Sequence, residues 1–183
     1  GFDNVAVGSI ALRNNTTGHS NTAVGRAALQ KNTTSNNCTA VGYAALANNT
    51  DGIYVSAFGM SALRENISGS YTTGIGINAL RYNTTGQGNT ALGANALMDN
   101  VTGNYNTAGG TDALRYSNAG TGNTAFGRRA LKSHAYGDSN TAVGVNALES
   151  QVTGTGNVAI GGNALQMATV AANTVAVGFN SLQ

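Results

Sequence analysis

The chain has 183 residues, of which 41% are hydrophobic and 9% charged, and its formal net charge is +2. Charged residues make up roughly 25% of ordinary soluble proteins, and the few basic residues here form no run. The composition therefore excludes the basic surface that nucleic acids need. The absence of any apolar run of about eighteen residues excludes a predicted transmembrane helix.

An uninterrupted 17-residue repeat organises the chain. Each of its eleven copies has a glycine, followed four residues later by a leucine. A short fixed period without insertions predicts a solenoid, in which one coil stacks on copies of itself. We number positions in a coil from this glycine as zero, and coils 1 to 11 are those of Gly8, Gly25, Gly42, Gly59, Gly76, Gly93, Gly110, Gly127, Gly144, Gly161 and Gly178. Residues 1–183 form one repeat domain. Because the repeat runs into both ends, we expect a segment of a longer fibre.

Each coil opens with a predicted strand from position −4 to the glycine. Thr, Val and Ile favour an extended backbone, and the stretch is too short for a helix. Position −4 is Asn in seven of the eleven coils, which predicts a ladder of side-chain amides, because equivalent residues of stacked strands lie above one another. Position −2 is Ala in ten coils, which suits a thin, tightly wound interior.

The rest of the coil follows a corner at the glycine. The Ala-Leu segment at +3 and +4 is a candidate for a second strand, and we assign its leucine to the core. The Asn, Thr and Gly residues from +7 to +10 are typical of tight turns. At about 4.8 Å per coil, the stacked coils would form a rod about 50 Å long. The predicted fold class is all-β, a parallel β-roll or β-solenoid of eleven coils.

Position −1 predicts the quaternary structure. Adjacent strand residues face opposite sides of a sheet, so an inward alanine at −2 leaves the apolar residue at −1 pointing outward. A stripe of this length exceeds the apolar patch that a monomer usually exposes, and identical copies around an axis are the simplest cover. The predicted interface residues are Val7, Val24, Val41, Phe58, Ile75, Leu92, Phe126, Val143, Ile160 and Val177.

Aromatic and basic side chains cluster in coils 3 to 5. Tyr54 and Tyr71 occupy position +12 of adjacent coils, so we expect their rings to stack. Aromatic faces beside Arg and Asn suit sugars, which present C–H faces and hydroxyl groups together. The candidate glycan contact comprises Tyr54, Tyr71, Tyr82, Arg64 and Arg81. The alternative is that the tyrosines form only a structural ladder that closes the turn.

No catalytic, cofactor or metal site is predicted, and we expect no enzyme activity. His19 and His134 are interpreted as solvated turn residues. Cys38 replaces the ladder asparagine of coil 3 and is interpreted as a buried inert thiol, the alternative being a thiol at an axis where copies meet. Asp99 and Asp112 lie in adjacent coils but four columns apart, which disfavours the carboxylate pair of a polysaccharide depolymerase. An ice-binding solenoid is disfavoured because the threonines pair directly in turns.

The motif NTAVGxxAL followed by NTTG, clearest over residues 21–34, resembles repeats of bacteriophage tail-fibre proteins. It resembles more distantly the head repeats of trimeric autotransporter adhesins. The resemblance covers the whole chain and implies a left-handed β-roll, a parallel homotrimer, and a place in the virion or otherwise at a cell surface. The expected function is a structural and host-recognition segment of a phage tail fibre, with bacterial surface polysaccharide or lipopolysaccharide as the candidate ligand. The alternative is an adhesin head domain. Neither nucleic-acid binding nor membrane insertion is expected.

Overall fold

The computed structural model describes residues 1–151 and 153–183. It confirms an all-β solenoid in which each coil contributes one short strand to a single parallel sheet, in sequence order. The register advances by 17 residues at every step, so that Ala23 lies beside Ala40. The eleven strands β1 to β11 are Val5–Val7, Thr22–Val24, Thr39–Val41, Ser56–Phe58, Thr73–Ile75, Thr90–Leu92, Thr107–Gly109, Thr124–Phe126, Thr141–Val143, Val158–Ile160 and Val175–Val177. Within the described ranges no helix is long or apolar enough to span a membrane.

Backbone hydrogen bonds between coils continue far beyond these strands. At positions 0 and +2 the N–H group donates to the preceding coil, as from Gly25 to the Val7 carbonyl at 2.7 Å. At +4 and +6 the N–H group donates to the following coil, as from Leu29 to the Ala45 carbonyl at 3.1 Å. A thin coil can satisfy its buried backbone groups in this way, and the coils therefore have to stack in register.

The Ala-Leu segment is not a second strand, which corrects the sequence-based candidate. It is a run of turns in which positions +2 and +4 adopt left-handed φ angles, and the leucines at +4 all have φ between 48 and 53°. This conformation costs about 1–2 kcal/mol for a residue with a Cβ. Full burial of a leucine side chain contributes about 1.5–3 kcal/mol in the opposite direction. The core leucine thus offsets the strain of its own corner.

The invariant glycine is required twice over. Gly93 has a φ of +136°, and a Cβ built on it would lie 2.7 Å from the backbone carbonyl carbon of Gly110 in the next coil. Both the left-handed φ and the close approach of the next coil exclude a side chain here. This position therefore sets the distance between coils.

The interior of the rod has an apolar half and a polar half. The apolar half contains Ala at −2, Ala at +3 and Leu at +4, and these positions are buried in coils 2 to 10. In coil 5 the buried residue at −2 is a glycine instead of an alanine. The polar half surrounds the carbonyl at +10. The carbonyl of Gly103 accepts hydrogen bonds from Asn89 Nδ2 at 2.7 Å and Asn100 Nδ2 at 3.0 Å. The two side-chain amides thus share one buried acceptor in this thin core.

Two asparagine ladders run along the polar half. The predicted ladder at −4 is confirmed, as in the bond from Asn157 Nδ2 to Asn140 Oδ1 at 3.0 Å. The second ladder, at +7, lies where surface turns were expected. Asn83 is fully buried there and donates to Asn66 Oδ1 at 2.8 Å. The signal available in the sequence was that Asn recurs at +7 in six successive coils.

Candidate functional surfaces

The side chains at −1 face outward, as strand alternation predicts. The −2 alanines of the strands from β2 to β10 are fully buried, whereas the exposed side chains at −1 range from 38% for Val143 to 66% for Val177. Gly109 interrupts the column, but a Cβ built there would lie 2.5 Å from a ring carbon of Phe126. The Phe126 ring therefore covers the gap, and the apolar column continues along the rod.

A second apolar column at +1 was not identified from the sequence. It lies across the glycine corner from −1, and its large exposed members are Tyr43, Met60, Ile77, Val145 and Phe179. The same column also contains Arg26 and Arg128. We call the −1 and +1 columns together the apolar band. The signal available in the sequence was the recurrence of large apolar residues at +1.

The tyrosines at +12 stack as predicted. The ring centroids of Tyr54 and Tyr71 are 5.4 Å apart, with 13° between the planes. Further along the same column, the Tyr105 ring lies over Gly88, where a Cβ would come within 2.6 Å of it. All three tyrosines are exposed. The column thus has the aromatic faces that a glycan contact requires, and equally those of a structural ladder.

The other three residues of the candidate glycan contact are Arg64 and Arg81 at +5 and Tyr82 at +6. The Arg81 guanidinium lies 5.1 Å from the centroid of the Tyr82 ring, and Arg64 Nε lies 3.4 Å from a carboxylate oxygen of Glu65. Positions +7 to +11 separate these residues from the tyrosine stack along the chain. Within the described part of the chain, no stacking or cation–π contact joins the two groups. A joint role of the five candidate residues in one glycan contact therefore stays a prediction.

Cys38 is a buried thiol, as predicted. Its Sγ donates to the Gly52 carbonyl at 3.3 Å inside its own coil, which contradicts the alternative of a thiol at an axis between copies. Burial raises the pKa of the Cys38 thiol to about 11. The thiolate is the reactive form of cysteine, so this residue is chemically inert at neutral pH.

The interpretation of His134 as a solvated turn residue is wrong. His134 is fully buried at +7, where it replaces a ladder asparagine. Its Nε2 lies 3.1 Å from Asn140 Nδ2, and Asn140 Oδ1 accepts from the Asn157 backbone N–H at 3.0 Å. Because Oδ1 is the accepting atom of the Asn140 amide, its Nδ2 donates, and His134 Nε2 is therefore the acceptor of the bond between them. Burial lowers the pKa of His134, so the imidazole is neutral at pH 7.

The carboxylates are engaged separately. Asp112 Oδ1 lies 3.1 Å from Arg115 Nη1 and accepts from Asn95 Nδ2 at 3.2 Å. Burial raises the pKa of the Asp99 carboxyl, an effect partly offset by the positive charge of Arg115. Among the described residues, no group of three His, Cys, Asp or Glu side chains is arranged to hold a metal ion.

Comparison of the chain with models of known protein families, with curated proteins and with solved structures found no match.

Proposed function

We propose that this chain is a rigid, self-associating rod of an extracellular fibre, and that it serves as a structural and host-recognition segment of a phage tail fibre. The observation that supports this most is the apolar column at −1, which is exposed in eight of the eleven coils and half-buried at Val24, Val41 and Gly109. Such a column exceeds the apolar patch usual on a soluble monomer. Association through it gives a thicker, stiffer rod, which is what a fibre requires.

In the proposed assembly, −1 forms the core of the interface and +1 its rim. The −1 column contains no charged residue, whereas +1 contains Arg26, Arg128 and polar residues among its apolar ones. Stable interfaces have an apolar centre depleted of charge and a more polar, accessible edge. Three parallel copies and a left-handed coil are the proposed arrangement, on the strength of the resemblance to tail-fibre and adhesin-head repeats.

Host recognition is the second part of the proposal. The exposed tyrosines at +12 and the Arg-Tyr pairs at +5 and +6 offer aromatic faces beside hydrogen-bond donors, the chemistry that binds surface polysaccharide or lipopolysaccharide. Repetition of one surface around an axis would turn a weak sugar contact into useful avidity.

Light scattering tests the assembly. We expect a mass of about 55 kDa, three times the 18.3 kDa of one chain. Replacing Val24, Val41 and Val143 together with Asp should dissociate or unfold the rod, because burying unpaired charges in an interface costs several kcal/mol.

The matched control places three aspartates at +9, where Asp51 occurs naturally, through Thr34→Asp, Thr85→Asp and Thr102→Asp. This variant should keep the mass and thermal midpoint of the original chain. A stable monomer of the original chain, or an unchanged mass in the −1 variant, would contradict the proposal.

A further inference from the structure

An open groove crosses coils 1 to 4 between the +1 and +2 columns on one side and the +5 and +6 columns on the other. Its volume is about 400 Å³, within the range of sites for small organic ligands. The floor contains Ala27, Ala44 and Ala47. We call this whole depression the cationic groove. Its walls include Arg26, Tyr43, Lys31, Asn48, Arg64 and Glu65.

The groove exists because small residues occur where other coils have large ones. Position +2 is Asn in coils 5, 6, 9, 10 and 11, and Arg129 in coil 8. In coils 2 and 3 it is Ala27 and Ala44, and in coil 3 position +5 is Ala47 instead of the arginine of coils 4 and 5. Only coil 3 has alanine at both +2 and +5. The cationic groove is therefore a local feature and not a property of the repeat.

The charges of the groove are unbalanced. Its walls include three cations, Arg26, Lys31 and Arg64, against the single carboxylate of Glu65. That carboxylate is already engaged, since it accepts a hydrogen bond from Asn48 Nδ2 and lies 3.4 Å from Arg64 Nε. Among the described residues, Arg26 and Lys31 have no carboxylate within ion-pair distance. The groove thus presents two free positive charges on a chain with few charges of any kind.

The walls are held in place by the backbone. The Ala44 N–H donates to the Arg26 carbonyl at 2.9 Å, and the Lys31 N–H donates to the Ala47 carbonyl at 2.9 Å. The Arg26 guanidinium also lies 5.7 Å from the centroid of the Tyr43 ring, which is 50% exposed. The backbone of the walls and the Arg26–Tyr43 pair are thus positioned before any ligand arrives, which limits the entropy lost on binding.

A second hollow of about 300 Å³ lies on the far side of the +6 column. It shares Lys31, Asn48 and Glu65 with the cationic groove and adds Thr50, Ile67 and Thr84. Two open hollows on either side of one polar ridge suit an extended chain that crosses the rod better than a compact metabolite.

We propose that the cationic groove binds an acidic oligosaccharide, a chain of sugars that carry carboxylates. Arg26 and Lys31 pair with the carboxylates, the exposed Tyr43 ring contacts the C–H face of a sugar, and Asn48 and Thr50 bond to hydroxyl groups. This inference depends on the proposed glycan contact, and it requires that Arg26 and Tyr43, which belong to the accessible +1 rim of the proposed interface, stay open to the ligand in the assembly. It shifts that contact from the tyrosine stack to a groove that shares only Arg64 with the earlier candidate residues.

The test is calorimetric titration of the purified protein with a tetramer of galacturonic acid, and with uncharged maltotetraose for comparison. We expect binding of the acidic tetramer alone, weakened by added salt because exposed charges are screened. The double variant Arg26→Gln, Lys31→Gln should weaken binding about tenfold or more, because it removes both charge-assisted contacts to the carboxylates. Both side chains are exposed, so the thermal midpoint should not change.

A second variant fills the groove without removing a charge. Ala27→Asn with Ala44→Asn introduces the residue found at +2 in five other coils, where Asn78 Nδ2 donates to Asn95 Oδ1 at 3.2 Å. Asn tolerates the left-handed φ of this position better than Ala does. The variant should therefore fold at least as stably as the original chain and lose binding.

The matched control is Arg128→Gln with Lys132→Gln, which removes two charges from positions +1 and +5 of coil 8, where Arg129 occupies +2. It should bind normally, as should Tyr54→Ala with Tyr71→Ala. Three results would overturn the inference: no affinity for the acidic tetramer, full affinity in the groove variants, or tighter binding of a single-stranded oligonucleotide with the same charge. The mass of the assembly is measured separately, so failure here leaves the rod proposal standing.

Discussion

At the residue scale, Ala27 at +2 and Leu29 at +4 have φ angles of 61° and 49°. Left-handed residues with a Cβ are uncommon and usually occur singly, yet this fold places two of them in one corner of every coil. They persist because the leucine side chain is buried against the −2 and +3 alanines. A coil separated from its neighbours would lose that burial and keep the strain, so the conformation depends on stacking.

His134 should make the rod sensitive to mild acid. An exposed histidine titrates near pH 6.5, and burial lowers the pKa of His134 in the folded state. Below about pH 6.5 the unfolded chain therefore binds a proton that the folded chain resists, and stability falls as the pH falls. Protonation would also turn Nε2 into a donor facing Asn140 Nδ2, which lies 3.1 Å away.

The measurement is the thermal midpoint between pH 7 and about 5.5, above the range in which most carboxylates titrate. We expect it to decrease for the original chain and to stay nearly level for His134→Gln. The control variant His19→Gln removes the other histidine and should keep the decrease. Parallel pH curves for the original chain and His134→Gln would show that the buried imidazole does not control the acid response.

At the scale of structural elements, the buried asparagine ladders join the coils through side chains as the strands do through the backbone. Asn83 donates to Asn66 Oδ1 at 2.8 Å and to the Gly86 carbonyl at 3.0 Å, and accepts from Asn100 Nδ2 at 2.8 Å. Each of these bonds lies in the buried interior, where an unpartnered polar group is costly. The ladders therefore favour the stacking of each asparagine on the equivalent asparagine of the next coil, and they oppose slippage between coils.

Asn83→Ala should lower the free energy of unfolding by about 2–4 kcal/mol, because it leaves Asn66 Oδ1 without its donor and removes one acceptor of Asn100 Nδ2. Urea unfolding measures the difference. The control Asn118→Ala, at an exposed position, should change stability by less than about 0.5 kcal/mol. Equal effects of the two substitutions would mean that the +7 ladder contributes little.

At the scale of the whole molecule, the rod is close to one-dimensional. Each strand pairs only with the strands before and after it, always with the same offset of 17 residues. In such a solenoid the stability is roughly a sum over coils and their nearest-neighbour contacts. Whole coils are therefore interchangeable units, whereas partial coils are not.

Removal of residues 89–105, one coil of 17 residues, should join Gly88 to Asn106 and let β5 pair with β7 in register. We expect a folded rod whose thermal midpoint is lower by no more than about 5 °C. Removal of residues 89–96 alone would leave a coil of about nine residues that cannot stack in register on both neighbours, and it should abolish cooperative unfolding. Similar melting of the two deletion variants would contradict the stacking argument.

The sequence alone determined the 17-residue coil, the inward alanine at −2, the outward column at −1, the −4 ladder and the stacking of Tyr54 on Tyr71. These follow from strict periodicity, because in a solenoid residues one repeat apart lie above one another whatever the shape of the coil. Periodicity says nothing, however, about how the chain turns within one coil.

Only the tertiary structure decided the features that depend on that turn. Left-handed corners at +2 and +4 replaced the second strand. Leu at +4 carries no local signal for such a φ, whereas the Asn found at +2 in five coils did carry one. Asn at +7 proved buried because the side chains at −4 and +7 converge on the carbonyl at +10, and the contact from −4 joins residues 14 apart in sequence. The cationic groove appeared for the same reason. Its walls at +1 and +6 meet only after the corner between them has folded.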